Sequence, residues 1–597
     1  MSTATAPVYE WNSLPWQRLE RQVFKLQKRI YRASRRGDVK TVHRLERLLM
    51  TSWAGRCLAV RRVTQDNRGK KTAGVDGVKN LPPRQRLALA HSLTVAAKAQ
   101  PVRRVWIPKP GGVEQRPLGI PTMRDRASQT LARLALEPEW EARFEPNSFG
   151  FRPGRSCHDA IQAVFAGLCQ KAKYVLDADI AACFDRIDQT ALLRKLHTFP
   201  TLQRAIRGWL KAGVLDGQEL FPTDAGTPQG GALSPLLANI ALHGLETAIR
   251  AAFPSKCRGV QPWKPPVIRY ADDFVVLHED AAVIEHARQV AADWLAGMGL
   301  ELKPSKTRVT HTLHPHDGPV GFDVLGFHVR QFRVGRTHAA TNRYGTMLAF
   351  KTIIKPSPAA QRRHLADLAD VIRRHRQVPH QALVDTLNPK IRGWANYYSA
   401  QVSKAVFGRL DHLTYQKLKR WAERRHPTKS HSWVRSHYWH SQGPRHWVFG
   451  PTEGRPLLLH TDTPIRRHRK VKGAASPFDG DILYWASRPG RHPELSKRKA
   501  TLLRRQHGRC AWCGLVFTRL EEVIECDHIS PTSLGGDGGE MNRQLLHGHC
   551  HDAKTTVDGS ARPRRSEVPM TRAKIIPGEE PYDEKSSRTV LKAGGGE

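Results

Sequence analysis

Two adjacent acids, Asp272 and Asp273, stand between two short apolar runs that are rich in strand-forming residues. The runs cover residues 267–270 and 274–277, so the pattern predicts a hairpin with both carboxylates at its tight turn. Neighbouring carboxylates repel each other, and a bivalent cation bound between them would explain their place on so apolar a support. The pair is therefore a candidate metal site, with a solvated turn as the alternative.

A third carboxylate can join this pair from another strand. The run 174–180 is apolar and carries Asp177 and Asp179, two residues that share one face of a strand. If this strand lies beside the hairpin, Asp179 converges with Asp272 and Asp273. Three carboxylates can hold two Mg²⁺ ions about 3.5–4 Å apart, one to activate an attacking hydroxyl and one to stabilise the leaving oxygen. That chemistry is nucleotidyl transfer.

A second set of metal-binding residue types lies towards the C-terminus. Cys510 and Cys513 form a CxxC pair, and His547 and Cys550 repeat the same spacing. Two such pairs predict one tetrahedral Zn²⁺ site, which would stabilise a module whose own core is small. His549 is an alternative fourth ligand, although its spacing to Cys550 suits a shared site less well.

Composition indicates the partner of these sites. The 597 residues include 96 Lys and Arg against 54 Asp and Glu, and the formal net charge of +42 favours nucleic acid as a partner. Hydrophobic residues make up 40%, enough for folded cores, but no apolar run reaches the roughly 18 residues of a membrane span. Nine cysteines in so long a chain do not form a disulfide scaffold, which predicts a reducing compartment. Cys526 is interpreted as a packing residue.

Three regions of different pattern must position the candidate groups. Residues 8–60 repeat apolar side chains at helical spacing with Arg and Lys between them, which predicts basic helices. Residues 70–330 mix strand and helix patterns and include a predicted hairpin that begins at residue 102 and ends at residue 120. Residues 357–460 are helical, basic and rich in Trp and Tyr, a combination that suits RNA.

Motifs spread over residues 10–560 carry a family resemblance. The chain resembles a bacterial group II intron-encoded protein, a reverse transcriptase–maturase with a C-terminal HNH endonuclease. Besides the strand that ends in Asp179, the blocks that carry the resemblance are 73–77, 149–156, 227–240, 270–273, 299–307, 322–327, 388–398 and 424–427.

The resemblance implies a multidomain α+β protein. It comprises a right-hand polymerase of fingers, palm and thumb, a helical maturase region and a C-terminal ββα-metal HNH module with a zinc site. The implied divisions are an N-terminal helical RNA-binding segment (1–70), fingers and palm (71–345), thumb and maturase domain (346–460), a basic DNA-binding linker (461–500), the HNH module (501–560) and a disordered tail (561–597). Within the linker, the basic stretch 465–473 is interpreted as following phosphates rather than folding.

The resemblance also implies roles in the polymerase. Asp179, Asp272 and Asp273 take the metal positions for two Mg²⁺ ions. Phe184 would lie under the sugar and exclude a 2′-hydroxyl, with a core phenylalanine as the alternative, and Lys306 would lie near the phosphates, with a plain surface lysine as the alternative. The residues implied to bind nucleotide and template are Lys109 and Arg116 of the hairpin, Ile180 through its main-chain carbonyl, Phe184, Gln229, Gly230 and Lys306.

In the C-terminal module the resemblance implies a nuclease. His528 would act as the general base that takes a proton from water, while Asp527 and His551 would bind one Mg²⁺ at the scissile phosphate. Asn542 would brace the loop. Family members usually have Cys where His547 stands, and histidine is a competent zinc ligand. The alternative is a zinc fold retained only to bind DNA.

These roles imply a multifunctional enzyme. It would act as an RNA-directed DNA polymerase, as a maturase that binds intron RNA and assists splicing, and as an endonuclease that nicks target DNA for target-primed reverse transcription and intron mobility. Its partners would be intron RNA, target DNA and deoxynucleoside triphosphates, in the bacterial cytoplasm and on the nucleoid when bound to DNA; the oligomeric state stays open. The alternative is a splicing maturase with vestigial catalytic sites. A defence-associated reverse transcriptase fits less well, because the thumb is combined with an HNH module.

Overall fold

A computed structural model describes most of the chain. The described residues are 10–95, 98–108, 115–254, 264–335, 340–342, 344–442, 445–481, 484–485, 488, 496–515, 517 and 524–558. They divide into two compact units, Met1–Lys497 and Arg498–Glu597. Lys109 and the predicted disordered tail lie outside the described residues.

The first unit is built from helices and mostly antiparallel sheets. Its helices are α1 (Trp16–Arg35), α2 (Val39–Thr51), α3 (Trp53–Arg61), α4 (Pro83–Ser92), α5 (Met123–Glu141), α6 (Cys157–Leu168), α7 (Cys183–Arg186), α8 (Gln189–Leu196), α9 (Pro200–Leu210), α10 (Ser234–Leu242), α11 (Leu245–Ala251), α12 (Ala281–Ala296), α13 (Pro358–Arg374), α14 (His380–Tyr398), α15 (Lys404–Arg425) and α16 (His431–Tyr438). Its strands are β1 (Val102–Pro108), β2 (Gln115–Ile120), β3 (Tyr174–Asp179), β4 (Val214–Asp216), β5 (Glu219–Phe221), β6 (Val267–Tyr270), β7 (Asp273–His278), β8 (Arg308–His311), β9 (Phe322–Val324), β10 (Phe327–Arg333), β11 (Phe350–Pro356), β12 (Trp439–Gln442) and β13 (Arg445–Phe449).

The N-terminal helices confirm the basic helical pattern. Leu19, Val23 and Ile30 of α1 are buried at helical spacing, while the Arg and Lys residues between them leave a basic outer face. The side chain of Asp38 caps α2 by accepting a hydrogen bond from the backbone amide of Thr41. Burial of the apolar stripe against α3 and α5 therefore holds these helices in place.

A four-stranded sheet of order β6-β7-β3-β8 carries the acids. Strands β6 and β7 form the predicted hairpin around Asp272, and β7 pairs antiparallel with β3. The register places Asp179 directly opposite Asp273. Because directly opposed residues project from the same face of a sheet, the register brings the two carboxylates together.

A second four-stranded sheet has the order β2-β1-β4-β5. Its β1–β2 hairpin confirms the prediction for residues 102–120, with Ile107 opposite Arg116 in the register. Separate smaller sheets are formed by β11-β10-β9 and by β12-β13.

The basic linker is anchored to the first unit where the sequence predicted a phosphate-following segment. Its described residues 463–481 contain no helix or strand. Asp159 nevertheless accepts hydrogen bonds from His468 Nε2 (2.9 Å) and from the Val471 amide (2.8 Å), and Arg155 donates to the carbonyl of Gly473 (2.7 Å). The prediction missed these contacts, which tie the segment to the start of α6.

The second unit is small. Within the described residues its elements are α17 (Lys497–Arg505), which begins at the boundary residue, β14 (Ile524–His528), β15 (Arg543–His547) and α18 (Gly548–Val557). Strands β14 and β15 pair antiparallel, with Asp527 opposite Gln544. The ββα order expected for the module is confirmed.

A buried ion pair supports the loop before α6. Arg152 donates to both carboxylate oxygens of Glu141 (2.7 and 3.0 Å), and both side chains are almost fully buried. We expect Arg152→Met to lower the free energy of unfolding by about 3–5 kcal/mol, because Glu141 is left as an unpaired buried charge. Urea unfolding measures the change.

The exposed pair of Arg288 and Glu285 provides the control for this prediction. We expect Arg288→Met to change the free energy of unfolding by less than about 1 kcal/mol, since water already solvates both charges. Equal losses in the two variants would contradict a structural role for the buried pair.

Candidate functional site

Three acids meet at one end of the β3–β7 pair. Asp179 is the last residue of β3 and is mostly buried, whereas Asp272 and Asp273 are half-buried at the β6–β7 turn. Burial, and after it the nearby charges of Asp272 and Asp179, raise the pKa of Asp273 to about 7. Burial and then Asp179 also raise the pKa of Asp272. The three acids predicted to converge are therefore close enough to repel one another.

Asp177 shares a strand face with Asp179 but forms an ion pair with an arginine instead. Its carboxylate pairs with Arg308 of the neighbouring strand β8 at 3.2 Å. Burial, opposed by Arg308, raises the pKa of Asp177 to about 6. This acid thus already has its own cation.

A buried network shapes the turn that carries the acid pair. Ala271 has a left-handed backbone (φ 58°), and its carbonyl accepts a hydrogen bond from the buried guanidinium of Arg269 (3.1 Å). Arg269 also donates to Asn239 Oδ1 (3.1 Å), and Asn239 donates to the carbonyl of Gly150 (2.8 Å). A Cβ on Gly150 would collide with the backbone of Ala271, so only glycine allows this approach.

Sequence reasoning missed these positioning residues. Arg269 and Asn239 lie within motifs that the sequence analysis named. Their spacing predicted no role for them, because the hydrogen bond between them joins residues 30 positions apart. An arginine directly before the Tyr-Ala-Asp-Asp run was the available signal, since a charge in an apolar strand needs a buried partner.

A lysine lies against the acid cluster. Lys306 Nζ is 2.6 Å from Asp179 Oδ2, and this hydrogen bond, with the charges of Asp179, Asp273 and Asp272, raises the pKa of the lysine. Lys306 is exposed, and its ammonium group pairs with one of the three acids. Carboxylate oxygens are the donors that Mg²⁺ prefers, and a cluster that already attracts an ammonium group fits a divalent cation.

A cavity of about 290 Å³ lies against the β1–β2 hairpin. Phe184 and Gln229 line it together with Arg104, Pro117 and Gly119. Phe184 is half-buried: it packs against the core and also borders the cavity.

The glutamine of this cavity is held by an acid for which the sequence predicted no role of its own. Gln229 Nε2 donates to both oxygens of Asp185, at 3.1 and 3.0 Å. Asp185 directly follows Phe184, so one short segment supplies the aromatic wall and orients the glutamine.

The loop around Gly230 is tied to strand β2. The Gly119 amide donates to the carbonyl of Gln229 (2.6 Å), and a Cβ on Gly230 would lie 2.6 Å from the carbonyl oxygen of Gly119. Gly230 also has φ 117°, which L side chains rarely adopt. The close approach therefore requires glycine.

Two further predicted residues border the cluster. Arg116, on β2, is exposed, and its charge lowers the pKa of Asp272, against the larger effect of burial. Ile180 directly follows Asp179 and is buried. Backbone hydrogen bonds hold the residues on both sides of it: the Lys303 amide donates to the Asp179 carbonyl (2.8 Å), and the Ala181 amide donates to the Glu301 carbonyl (2.9 Å).

A separate cluster in the second unit combines three cysteines with a histidine. One donor atom from each of Cys510, Cys513, His547 and Cys550 lies within 4.8 Å of the others. His547 Nδ1 is 3.3 Å from Cys513 Sγ and 3.8 Å from Cys550 Sγ. Three thiols and an imidazole are a tetrahedral zinc donor set. Cys526 is outside this cluster, and the side chain of His549 lies outside the described residues.

The predicted nuclease residues surround the end of β14. His551 Nε2, on α18, lies 3.7 Å from Asp527 Oδ1, and the Nε2 atom of His528 is buried without a hydrogen-bond partner in the described structure. Asn542 donates to the carbonyls of Ser530 (2.9 Å) and Asp537 (2.6 Å), a geometry that braces the loop.

Two residues of this site were missed. Lys554 Nζ lies 3.1 Å from Asp527 Oδ2 and donates to the carbonyl of His528 (3.0 Å), while Glu525 Oε2 is 3.5 Å from His551 Nδ1. Burial raises the pKa of Asp527, but bonds from Gln544 and Lys554 outweigh it and hold the pKa below its usual value. Lys554 lies one helical turn after His551, which was the signal in the sequence.

In the described part of the chain, no helix combines the length and apolar character needed to cross a bilayer.

Family models match four segments of the chain. They describe an N-terminal domain of reverse transcriptase (residues 11–93), a reverse transcriptase or RNA-dependent DNA polymerase (107–329), a group II intron maturase-specific domain (361–439) and an HNH endonuclease (510–556).

Curated relatives agree with these matches. Protein YkfC of Escherichia coli is 32% identical over 351 residues, which cover 52% of this chain and 87% of that protein. The group II intron-encoded protein LtrA of Lactococcus lactis is 44% identical over 153 residues, a quarter of each chain. A protein in the cob intron of Schizosaccharomyces pombe is 31% identical over 265 residues, covering 36% of this chain and 32% of the relative. The chain therefore belongs to the group II intron-encoded proteins, as a multifunctional member with a reverse transcriptase, a maturase-specific domain and an HNH endonuclease.

Proposed function

We propose that Asp179, Asp272 and Asp273 are the catalytic acids of the polymerase and hold two Mg²⁺ ions. The observation that carries this proposal is the β3–β7 register, which brings mutually repelling carboxylates to one turn. When bound, the ions supply Lewis-acid activation of the primer hydroxyl and charge neutralisation at the leaving oxygen. Lys306 keeps a positive charge beside Asp179 and guides phosphate groups towards the acids.

The 290 Å³ cavity is the proposed nucleotide pocket. Phe184 forms the wall under the sugar, Gln229 and Gly230 border the incoming nucleotide and template, and Arg116 with Lys109 binds the triphosphate. The Ile180 carbonyl completes one metal shell. Supporting this assignment, Asp185 and Gly119 hold Gln229 from its side chain and its backbone.

We propose a right-hand architecture for the first unit. The sheet β2-β1-β4-β5 belongs to the fingers, the sheet β6-β7-β3-β8 to the palm, and α13–α15 to the thumb and maturase region. The proposed domain limits stay at 1–70, 71–345, 346–460, 461–500 and 501–560, with a tail from residue 561.

The maturase region is proposed to bind intron RNA and to assist splicing by stabilising the folded ribozyme. Its support is a groove of about 840 Å³ between α13 and α15, whose described lining includes six cations and no acid. The cations are Arg373, Arg376, Lys417, Arg420, Arg424 and Arg425. Such a groove attracts a phosphate backbone.

The HNH unit is proposed to nick target DNA and so to supply the primer for reverse transcription and intron mobility. His528 takes the proton from water, Asp527 and His551 hold one Mg²⁺, and Asn542 braces the loop. Lys554 orients Asp527 through its ammonium group. The protein acts in the bacterial cytoplasm, where cysteines such as those described stay reduced, and on the nucleoid when bound to DNA.

Separate variants test the two catalytic sites. Asp272→Ala is expected to reduce primer extension on an RNA template by at least about 10³-fold, because metal-ion stabilisation of several kcal/mol is lost. His528→Ala is expected to reduce DNA nicking by about 10²–10⁴-fold, the usual contribution of a general base. Each variant should retain the other activity and intron RNA binding.

Asp177→Ala is the matched control for the polymerase site, since it removes an acid from the same strand face that pairs with Arg308. Its extension rate should stay within about tenfold of the parent. Extension that survives Asp272→Ala, or a loss of both activities in either variant, would contradict the assignment.

The raised pKa of Asp273 predicts a pH effect on stability. Between the unfolded pKa near 4 and the folded pKa of about 7, the folded chain binds the extra proton, so the free energy of unfolding falls as pH rises across this window. In metal-free protein, Asp273→Asn should therefore gain stability over the parent as pH rises from 4 to 7, by up to about 4 kcal/mol before solvent screening of this half-buried group reduces it. Urea unfolding at several pH values measures this difference, and a constant difference would rule out the effect.

Removal of one thiol tests the zinc assignment. Cys513→Ala should reduce bound zinc well below about one equivalent per chain and make the C-terminal unit sensitive to protease, because the metal supplies folding free energy. Elemental analysis and limited proteolysis measure both effects. Cys526→Ala is the control, since Cys526 lies outside the cluster; equal zinc loss in the two variants would count against the assignment.

A further inference from the structure

The hairpin β12–β13 holds a tryptophan in an unusual backbone conformation. Trp447 has φ 70°, where a bulky side chain is rarely found, and the hairpin register shifts between His440 and Gln442. Such irregularities re-aim a side chain. Here Trp447 is 52% exposed, although burial of so large an apolar side chain would be favourable. Backbone strain that exposes an aromatic ring is typical of a binding site.

A small apolar cavity lies on one side of this ring. Its volume is about 170 Å³, below the about 300–1,000 Å³ typical of drug-sized ligands. Tyr415, Trp439 and Phe449 line it with Trp447, next to a group of leucines. Its polar borders are already bonded, since Arg445 pairs with Asp462. The cavity therefore suits one flat ring system, whose faces can stack on aromatic walls, rather than an extended chain.

A second cavity, of about 190 Å³, shares Trp439 and Trp447 as walls. Lys419, His431 and Arg435 line it, and the Arg435 guanidinium lies 4.9 Å from the centre of the Trp447 ring. Its acid, Glu423, is already within 3.0 Å of His431 and 3.8 Å of Lys419. The apolar cavity on one side of the aromatic wall matches the base of a nucleotide, and the cations on the other side match its phosphate.

We propose that these paired cavities bind one unstacked nucleotide of single-stranded RNA. The base enters the apolar cavity and stacks on Trp447, and its phosphate lies by Lys419, His431 and Arg435. Stacking on an aromatic ring accepts any base, so the site selects single-stranded character rather than sequence. The inference rests on the proposed RNA-binding function of this region and adds a defined site to it.

Photo-crosslinking tests the site in the full-length protein. The probe is an eight-nucleotide oligouridine that carries 4-thiouridine, with adducts mapped by mass spectrometry. We expect an adduct in residues 439–449, and Trp447→Gly should reduce its yield at least about fivefold, while Trp447→Phe retains most of it. Glycine accepts φ 70°, so the melting temperature of Trp447→Gly should not fall; a purely structural tryptophan would predict that it falls.

Tyr344→Ala, which removes another exposed aromatic ring, should leave the adduct unchanged. A parent protein that binds folded intron RNA but forms no adduct in the hairpin would overturn the site alone, as expected if the cavity takes an apolar side chain of a protein partner. An adduct unaffected by Trp447→Gly would overturn it as well. A parent protein that binds neither the oligonucleotide nor intron RNA would overturn the proposed RNA-binding function itself.

Discussion

Repulsion among three carboxylates is the constraint on which the acid cluster and its sheet depend. Asp179 and Asp273 face each other across two strands, and Asp272 lies in the adjoining turn. Water would separate such groups, but here the sheet holds them together through buried neighbours such as Val276 and Leu277. A slip of one residue in the register would turn one carboxylate to the opposite face. The apolar strands therefore hold the acids in place, because only a rigid sheet resists the mutual repulsion of the carboxylates.

Hydrogen bonds between buried polar groups also hold the acid turn in place. Arg269 lies beneath the acid turn, and burial lowers the pKa of this guanidinium to about 10. Arg269 donates to Asn239, whose amide donates to Gly150, and Arg152 in the loop that follows pairs with Glu141 at the end of α5. The turn is thus preorganised by partners from distant parts of the chain. Such support allows charged ligands to bind with little rearrangement.

The sequence predicted local features well and distant contacts poorly. Strand-forming runs on either side of a turn predicted both hairpins, and the two-residue gap that recurs in both Cys/His pairs predicted the metal cluster. By contrast, the bond between Gln229 and Asp185 and the contact of Lys554 with Asp527 depend on tertiary packing. Periodicity describes a single element, so it carries no information on which elements become neighbours.

The attachment of the linker to α6 has a consequence for how this enzyme can be divided. Asp159 caps its own helix through Ser156. It also accepts hydrogen bonds from His468 and Val471, so one carboxylate both caps α6 and anchors the linker. A nuclease-free polymerase truncated at residue 460 would leave this carboxylate buried without those donors. Trimming the C-terminal module is therefore safe only beyond the anchored stretch, and evolutionary gain or loss of the nuclease would have to keep that stretch as part of the polymerase.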